Sequence, residues 1–139
     1  MKKNAILLVV LMLAALSYGQ KTDVPLDVKN AFERQYPTIK KVKWEKEKDN
    51  YEAGYVVDKV RHSVLMDAKG KIIETETGIQ ISQLPANVRE YVIKHYKGQK
   101  IKEAAEIRDA GQKLTFEAEV KGMDLIFDNK GNFIKETKD

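Results

Sequence analysis

The side chains of this sequence best suited to chemistry are its two histidines and a few serines and acidic residues. A metal site needs three or more ligands, or histidines at i and i+4, and nothing of the kind surrounds His62 or His95. Serine catalysis needs a nucleophile with a base and an orienting acid, and Ser63 and Ser82 lie in no Gly-x-Ser-x-Gly motif. We therefore interpret all four as ordinary structural or surface residues.

Acidic residues occur two positions apart as Glu74/Glu76 and Glu117/Glu119. Such pairs share one face of a strand. Glycosidases use paired carboxylates at such separations, but alternating acidic residues are much commoner on a solvated sheet face. The sequence thus favours a protein that is not an enzyme, and it implies no cofactor.

Two segments, 67–70 and 128–131, have the pattern Asp-x-Lys-Gly. A calcium loop needs several oxygen ligands at alternating positions and a bidentate glutamate at its end. Both segments are too short for this and contain a lysine. An aspartate that opens a hairpin turn and a glycine that closes it explain them, so we predict turns here.

The first 19 residues have the features of an export signal. Two lysines precede an unbroken apolar run over residues 6–16, and Ser17 and Gly19 place small residues before a cut at Gln20. This run is too short to span a ~30 Å hydrocarbon core. We predict cleavage between Gly19 and Gln20, a periplasmic or secreted product, and no membrane insertion after cleavage.

The expected mature chain, residues 20–139, is nearly balanced in charge. Loss of the two lysines of the signal lowers the formal net charge from +4 to +2. Lysine and glutamate are interspersed, whereas a nucleic-acid-binding domain would carry a concentrated basic stripe. We expect no nucleic-acid partner. The chain has no cysteine, which excludes disulfides and thiolate metal sites.

The sequence contains an internal repeat with a shift of 60 or 61 residues. The first matched block includes the pairs Pro25/Pro85, Val28/Val88 and Tyr36/Tyr96. The second block matches residues 65–73 with residues 126–134. The blocks occur in the same order, which indicates two copies, about 24–76 and 84–137, joined by residues 77–83.

Each copy begins with apolar residues at helical spacing and continues with four alternating segments separated by short turns. Strands joined by short turns are antiparallel neighbours. We predict an α+β fold, an α-β-β-β-β unit in tandem, with two helices on one face of a shared antiparallel sheet. One continuous sheet is expected because a unit of about 60 residues is marginally stable alone.

This pattern resembles the PepSY-like proteins, also called β-lactamase-inhibitor-protein-like (BLIP-like). The residues that carry the resemblance are Leu84, Pro85, Val88, Tyr96, Asp128 and Gly131, and in the first copy Val24, Pro25, Val28, Tyr36, Asp67 and Gly70. The resemblance covers the mature chain and implies a periplasmic or secreted, non-enzymatic protein that binds or inhibits another protein. The chain lacks the disulfides of the inhibitor proteins, and no inhibitory loop can be matched.

Alternation assigns the strand residues to two faces. Trp44, Tyr51, Tyr55 and Phe116 fall on the apolar face, where we predict core packing; a partner hot spot is the alternative. In the fifth strand Ile101, Glu103, Ala105 and Ile107 are assigned to that same face. The opposite, polar face is assigned Lys41, Lys43, Glu45, Glu47, Glu52, Val56, Lys102, Glu106, Arg108, Thr115, Glu117 and Glu119.

The polar face is the candidate binding surface, although a solvated face without a ligand is the simpler interpretation. We select as partner-binding residues Lys41, Lys43, Glu45, Glu52, Arg108, Glu117 and Glu119. The leading hypothesis is an exported module that docks or inhibits an envelope protein. The alternatives are small-molecule or peptide sensing in a groove between the repeats, and a passive envelope or stress protein.

Overall fold

The computed structural model describes residues 22–138, and the same order of elements occurs twice within them. The predicted export signal lies outside these residues. No helix among them is both long enough and apolar enough to cross a membrane. The elements are α1 Leu26–Gln35, β1 Lys43–Glu47, β2 Asn50–Val57, β3 Val60–Met66, β4 Ile72–Ile79, a 3-10 turn at Ile81–Gln83, α2 Ala86–His95, β5 Ile101–Asp109, β6 Leu114–Val120, β7 Met123–Asp128 and β8 Phe133–Lys138.

All eight strands form one sheet in the order β1 to β8, and each strand pairs antiparallel with the next. Strands β4 and β5 join the two halves through a ladder from Glu74↔Asp109 to Ile79↔Ala104. The predicted fold class is therefore confirmed. Strand β4 continues to Ile79, so the predicted connector at residues 77–83 begins inside a strand.

A proline is the N-cap residue of each helix. The carbonyl oxygen of Pro25 accepts a hydrogen bond from the Val28 amide at 3.1 Å, and that of Pro85 accepts one from the Val88 amide at 3.0 Å. The missing N–H of proline costs nothing at this end of a helix. Both helices are therefore positioned by the same residue type in both halves.

Both helices lie on one face of the sheet, which we call the helix face. Val28 and Phe32 of α1 pack with residues of β2 and β3, and Val88 and Val92 of α2 pack with residues of β5 to β7. Cross-strand partners share a face. By the register of the strands, the helix face of β2 to β6 includes Ala53, Val64, Thr75, Ile79, Ala104 and Ala118.

The large strand aromatics belong to this core, as the alternation predicts. The ring of Phe32 lies 5.5 Å from that of Trp44 and 5.8 Å from that of Tyr55, both edge to face. Tyr51 is buried in the same cluster, and Phe116 packs against the core under α2. Edge-to-face aromatic pairs add about 1 kcal/mol to the free energy gained by burying their area.

The predicted facing of strand β5 is wrong. The register with β6 shifts between Ile101 and Glu103, so Lys102 forms a bulge. One extra residue moves every following side chain to the other face. As a result Ala104, Glu106 and Arg108 lie on the helix face, whereas Glu103, Ala105 and Ile107 lie on the opposite face.

Candidate functional site

The face opposite the helices, here called the open face, buries a group of acidic side chains. Their exposed fractions are 7% or less although no helix covers them. Charged carboxylates are seldom so buried, because leaving water costs them several kcal/mol. We call this group the acidic cluster; its members are Glu52, Glu74, Glu76, Glu117 and Asp124.

The open face is concave. Side chains from the five successive strands β3 to β7 line one cavity, where β3 and β7 would lie about 19 Å apart in a flat sheet. The curvature brings these side chains together and shields them from water without a covering layer. The cavity is lined by Arg61, Glu76, Gly78, Glu103, Ala104, Ala105, Glu117, Glu119 and Asp124.

Apolar residues separate the carboxylates on this face. Leu65 is the cross-strand partner of Glu74, Ile107 that of Glu76, and Ile126 that of Glu117. Leu65 is 1% exposed, and Ile107 and Ile126 are each 3% exposed. The carboxylates therefore lie in a partly apolar environment, and for Glu76 this disfavours the charged form.

Burial, together with the neighbouring carboxylates of Glu52, Glu74 and Asp124, raises the pKa of Glu76 to about 8, and Arg61 opposes the shift. Burial also raises the pKa of Glu52 to about 7, with a hydrogen bond from Ser63 acting in the opposite direction. The Oε2 atom of Glu76 has no hydrogen-bond partner among residues 22–138.

Among the described residues that line the cavity, Arg61 is the only one with a cationic side chain. Its guanidinium forms an ion pair with the carboxylate of Glu103. Because the other acidic side chains of the lining outnumber it, the cavity carries negative charge whenever those groups are ionised.

The structure divides the predicted partner-binding residues into three groups. Lys43, Glu45 and Glu119 lie on the open face and are exposed or half-buried, and Lys41 is exposed just before β1. Lys43 and Glu45 form an ion pair at 2.6 Å. These four residues remain available to a partner.

Two further residues, Glu52 and Glu117, lie on the open face as predicted but are buried. The sequence predicts that acidic side chains on this face are solvated. This prediction is wrong for Glu52, Glu117 and the pair Glu74/Glu76, because the curvature of the sheet excludes water from their side chains. Arg108 is on the helix face, 3.8 Å from Glu106, so its assignment to the open face is wrong.

Sequence reasoning identified the Glu74/Glu76 pair but missed Asp124 and Arg61 as members of the site. The available signal was the alternation of acidic residues with apolar ones on strands predicted to be adjacent. Strand alternation places Glu76 and Glu117 on one face, but it carries no information on curvature.

The histidines and the turns have structural roles. His62 stacks on Tyr55 with ring centroids 5.2 Å apart, and His95 stacks on Tyr91 at 4.0 Å. The Asp67 carboxylate accepts hydrogen bonds from the amides of Lys69 and Lys71, both at 2.9 Å. The predicted turn chemistry is confirmed.

Asp128 forms the equivalent turn in the second half, where it accepts hydrogen bonds from the amides of Lys130 and Asn132. Hydrogen bonds from Asn132 hold the pKa of Asp128 below its usual value. Within residues 22–138, no group of three or more histidine, cysteine or acidic side chains is arranged to hold a metal ion.

A second, more open groove lies between the two halves. It is formed by the start of β3, the end of β4 with the 3-10 turn, and the start of β5. Val60, Ile79 and Ile81 give it an apolar part, and Lys59 and Lys102 are at its rim. Arg61 and Glu103 line both this groove and the cavity of the acidic cluster.

Solved structures with the same fold come from several Bacteroides species. A "putative periplasmic" protein of Bacteroides eggerthii aligns with a TM-score of 0.71 and 17% identity, over 83% of this chain and 88% of that one. A DUF2874 family protein of Bacteroides uniformis aligns with a TM-score of 0.69 and 19% identity, over 82% of this chain and 88% of that one. A BLIP-like protein of Bacteroides fragilis aligns with a TM-score of 0.60 and 23% identity, over 81% of this chain and 84% of that one.

Sequence comparison identifies the family. No curated protein matches this chain. The family model described as "Putative beta-lactamase-inhibitor-like, PepSY-like" matches residues 17–74 and again residues 54–135. Together the two matches extend over most of the chain. The chain belongs to the PepSY-like family.

Proposed function

We propose that this protein is an exported, non-catalytic binding module that docks a basic surface of an envelope protein on its open sheet face. The observation that carries the proposal is the concentration of acidic side chains on a concave, uncovered face. The family description and the BLIP-like relative support a role in protein binding. The signal features of residues 1–19 and the relative described as periplasmic support export.

The mechanism would be steric and electrostatic. A rigid eight-stranded sheet presents a preformed surface, so little conformational entropy is lost on docking. Acidic groups along the rim attract a basic partner and speed the encounter, while the buried groups contribute to specificity. The rim includes Glu45 and Glu119 together with Glu103.

The test is charge reversal at the rim, with a matched control on the helices. The test variant carries Glu45→Lys and Glu119→Lys, two half-buried residues of the open face. The control carries Glu33→Lys and Glu90→Lys, two exposed residues of α1 and α2, and has the same net charge.

Partners are captured from periplasmic extract on the wild type and on both variants. We expect at least one protein to be retained by the wild type and the control and lost from the test variant. Equal retention by all three proteins, or loss from the control as well, would contradict docking through the open face.

A second candidate function is small-molecule or peptide binding in the groove between the halves. The observation that favours it is the apolar part of that groove, where Val60 is 37% exposed. Val60→Lys would weaken such binding in a ligand screen by thermal shift, whereas the rim charge reversal would leave it unchanged. Binding that is weakened by the rim charge reversal and unchanged by Val60→Lys would instead favour the open face as the binding site.

A further inference from the structure

We propose that the cavity of the acidic cluster receives one cationic side chain, an arginine or a lysine, from the protein that docks on the open face. This inference rests on the proposed function and names the chemical group that the face recognises. The same chemistry would admit a free amino acid or a peptide that carries such a side chain.

The first observation is the state of Glu76. Its side chain is more than nine-tenths buried, and its Oε2 atom lacks a hydrogen-bond partner among the described residues. A buried acceptor without a donor costs about 1–3 kcal/mol, more if it is charged. A guanidinium or ammonium group entering the cavity would supply the missing N–H donor.

The second observation is the space beside Glu76. Gly78 and Ala105 are cross-strand partners on the open face, and both line the cavity. A Cβ at Gly78 would make only ordinary van der Waals contacts, the nearest at 3.5 Å from the backbone oxygen of Arg61, so no neighbouring side chain occupies the place of the missing one. Two small residues opposite each other leave room for the end of an incoming side chain.

The third observation is the balance of charge. Glu103, Glu117, Glu119 and Asp124 line the cavity with Glu76, against the single guanidinium of Arg61, which already pairs with Glu103. A planar guanidinium can bind a carboxylate through two parallel hydrogen bonds, and an ammonium can donate three. Charge complementarity therefore selects a cation.

An organic cation suits the cavity better than a metal ion. Calcium takes six to eight oxygen ligands, and within residues 22–138 no three acidic or histidine side chains are arranged around a common metal position. A side chain brings its own directed donors and can reach carboxylates that are too far apart to share an ion.

Binding should be coupled to the release of a proton. The raised pKa values of Glu76 and Glu52 mean that these groups hold protons near neutral pH, and a cation favours the ionised form. Binding is therefore expected to strengthen as the pH rises from 6 to 9. The charged groups that face Glu76 are Glu52 on β2, Arg61 on β3, Glu74 on β4, Glu103 on β5, Glu117 and Glu119 on β6, and Asp124 on β7.

The experiment is a titration followed by the backbone amide signals of Gly78 and Ala105 in two-dimensional NMR spectra. The probes are acetylated, amidated five-residue peptides with arginine, lysine or citrulline between pairs of glycines. Citrulline matches arginine in shape but is neutral. We expect saturable shifts with arginine or lysine and an affinity at least tenfold lower with citrulline.

The matched variants are Glu76→Gln, inside the cavity, and Glu90→Gln, an exposed residue of α2 on the other face of the sheet. We expect the first to weaken arginine or lysine binding at least tenfold and the second to change it less than twofold. Equal affinity for citrulline, or an unchanged affinity of Glu76→Gln, would overturn the proposal. Calcium chloride that displaces the peptide and shifts both amides would also overturn it, in favour of a metal site.

These results are separate from those of the docking experiment. Peptide binding without a captured partner would leave the cavity as a cation site and reject the proposed docking function. A captured partner that depends on Glu45 and Glu119, with no binding of any peptide, would leave docking intact and reject the cavity as its recognition site.

Discussion

At the scale of single residues, the acidic cluster shows how the environment decides the protonation of a carboxyl group. Glu45 and Glu76 have the same side chain and lie on the same face, but Glu45 is half-buried beside Lys43 and Glu76 is buried among apolar and acidic neighbours. A buried carboxylate remains charged only when partners compensate its lost hydration. Protonation near neutral pH is therefore the favoured state of Glu76.

The raised pKa of Glu76 predicts that stability decreases as the pH rises. In the unfolded chain a glutamate loses its proton near pH 4.5, whereas Glu76 in the folded protein keeps it to about pH 8. Between these values the folded state binds more protons, so the free energy of unfolding falls by up to about 1.4 kcal/mol per pH unit for each extra proton. Glu52 adds to this slope up to about pH 7.

Urea unfolding of the wild type and of Glu76→Gln, measured at pH 5, 6, 7 and 8, tests this. The wild type should lose stability across the series, and the variant should lose less because it has one titrating group fewer. Glu90→Gln, exposed on α2 and away from the acidic cluster, serves as the control and should keep the wild-type slope. A wild-type stability that is constant or rises from pH 5 to pH 8 would rule out protonated buried carboxyls.

At the scale of elements, the hairpin turns hold the helices in place. Gly70, which closes the β3–β4 turn with a φ of +81°, lies so close to α1 that a Cβ there would be 2.6 Å from the Cβ of Ala31. In the second half Gly131 approaches Pro85, and Asn87 donates a hydrogen bond to the Lys130 carbonyl at 2.9 Å. The Asp-x-x-Gly pattern thus couples each turn to a helix.

Gly70→Ala should destabilise the protein by about 2 kcal/mol or more, because strain at positive φ adds to a clash with α1. Gly98→Ala is the matched control: its φ is +76°, but nothing lies within 4 Å of the added Cβ. It should cost about 1 kcal/mol, from the backbone alone. Urea unfolding at one pH measures both, and equal losses would show that the contact with α1 contributes nothing.

The helices, the strand order and the turns could be predicted from the sequence because each depends on local spacing. The facing of β5 could not be predicted. One bulge at Lys102 moves every later side chain of the strand to the other face, and the alternation of residue types does not reveal it. The burial of Glu76 could not be predicted either. It depends on curvature that brings five strands around one cavity, and the alternation within a single strand does not reveal that curvature.

At the scale of the whole molecule, the pairing of β4 with β5 makes one sheet from two similar halves. Each half has its own core, with Val28 and Phe32 under α1 and Val88 and Val92 under α2. A half of about 60 residues would be marginal by itself. The acidic cluster also draws on both halves, with Glu76 from the first and Glu117 from the second.

We therefore expect the halves to unfold together. Val28→Ala and Val88→Ala each remove two methyl groups from a fully buried position, which should cost about 2 kcal/mol through lost burial and the cavity left behind. The single tryptophan, Trp44, lies in the first half, so its fluorescence reports on that half alone. If unfolding is cooperative, Val88→Ala in the second half must lower the midpoint seen by Trp44 as much as the midpoint seen by circular dichroism. A Trp44 transition that stays at its wild-type midpoint while the circular dichroism midpoint falls would show two independent folding units, and a cation site built from both halves would then lack a common scaffold.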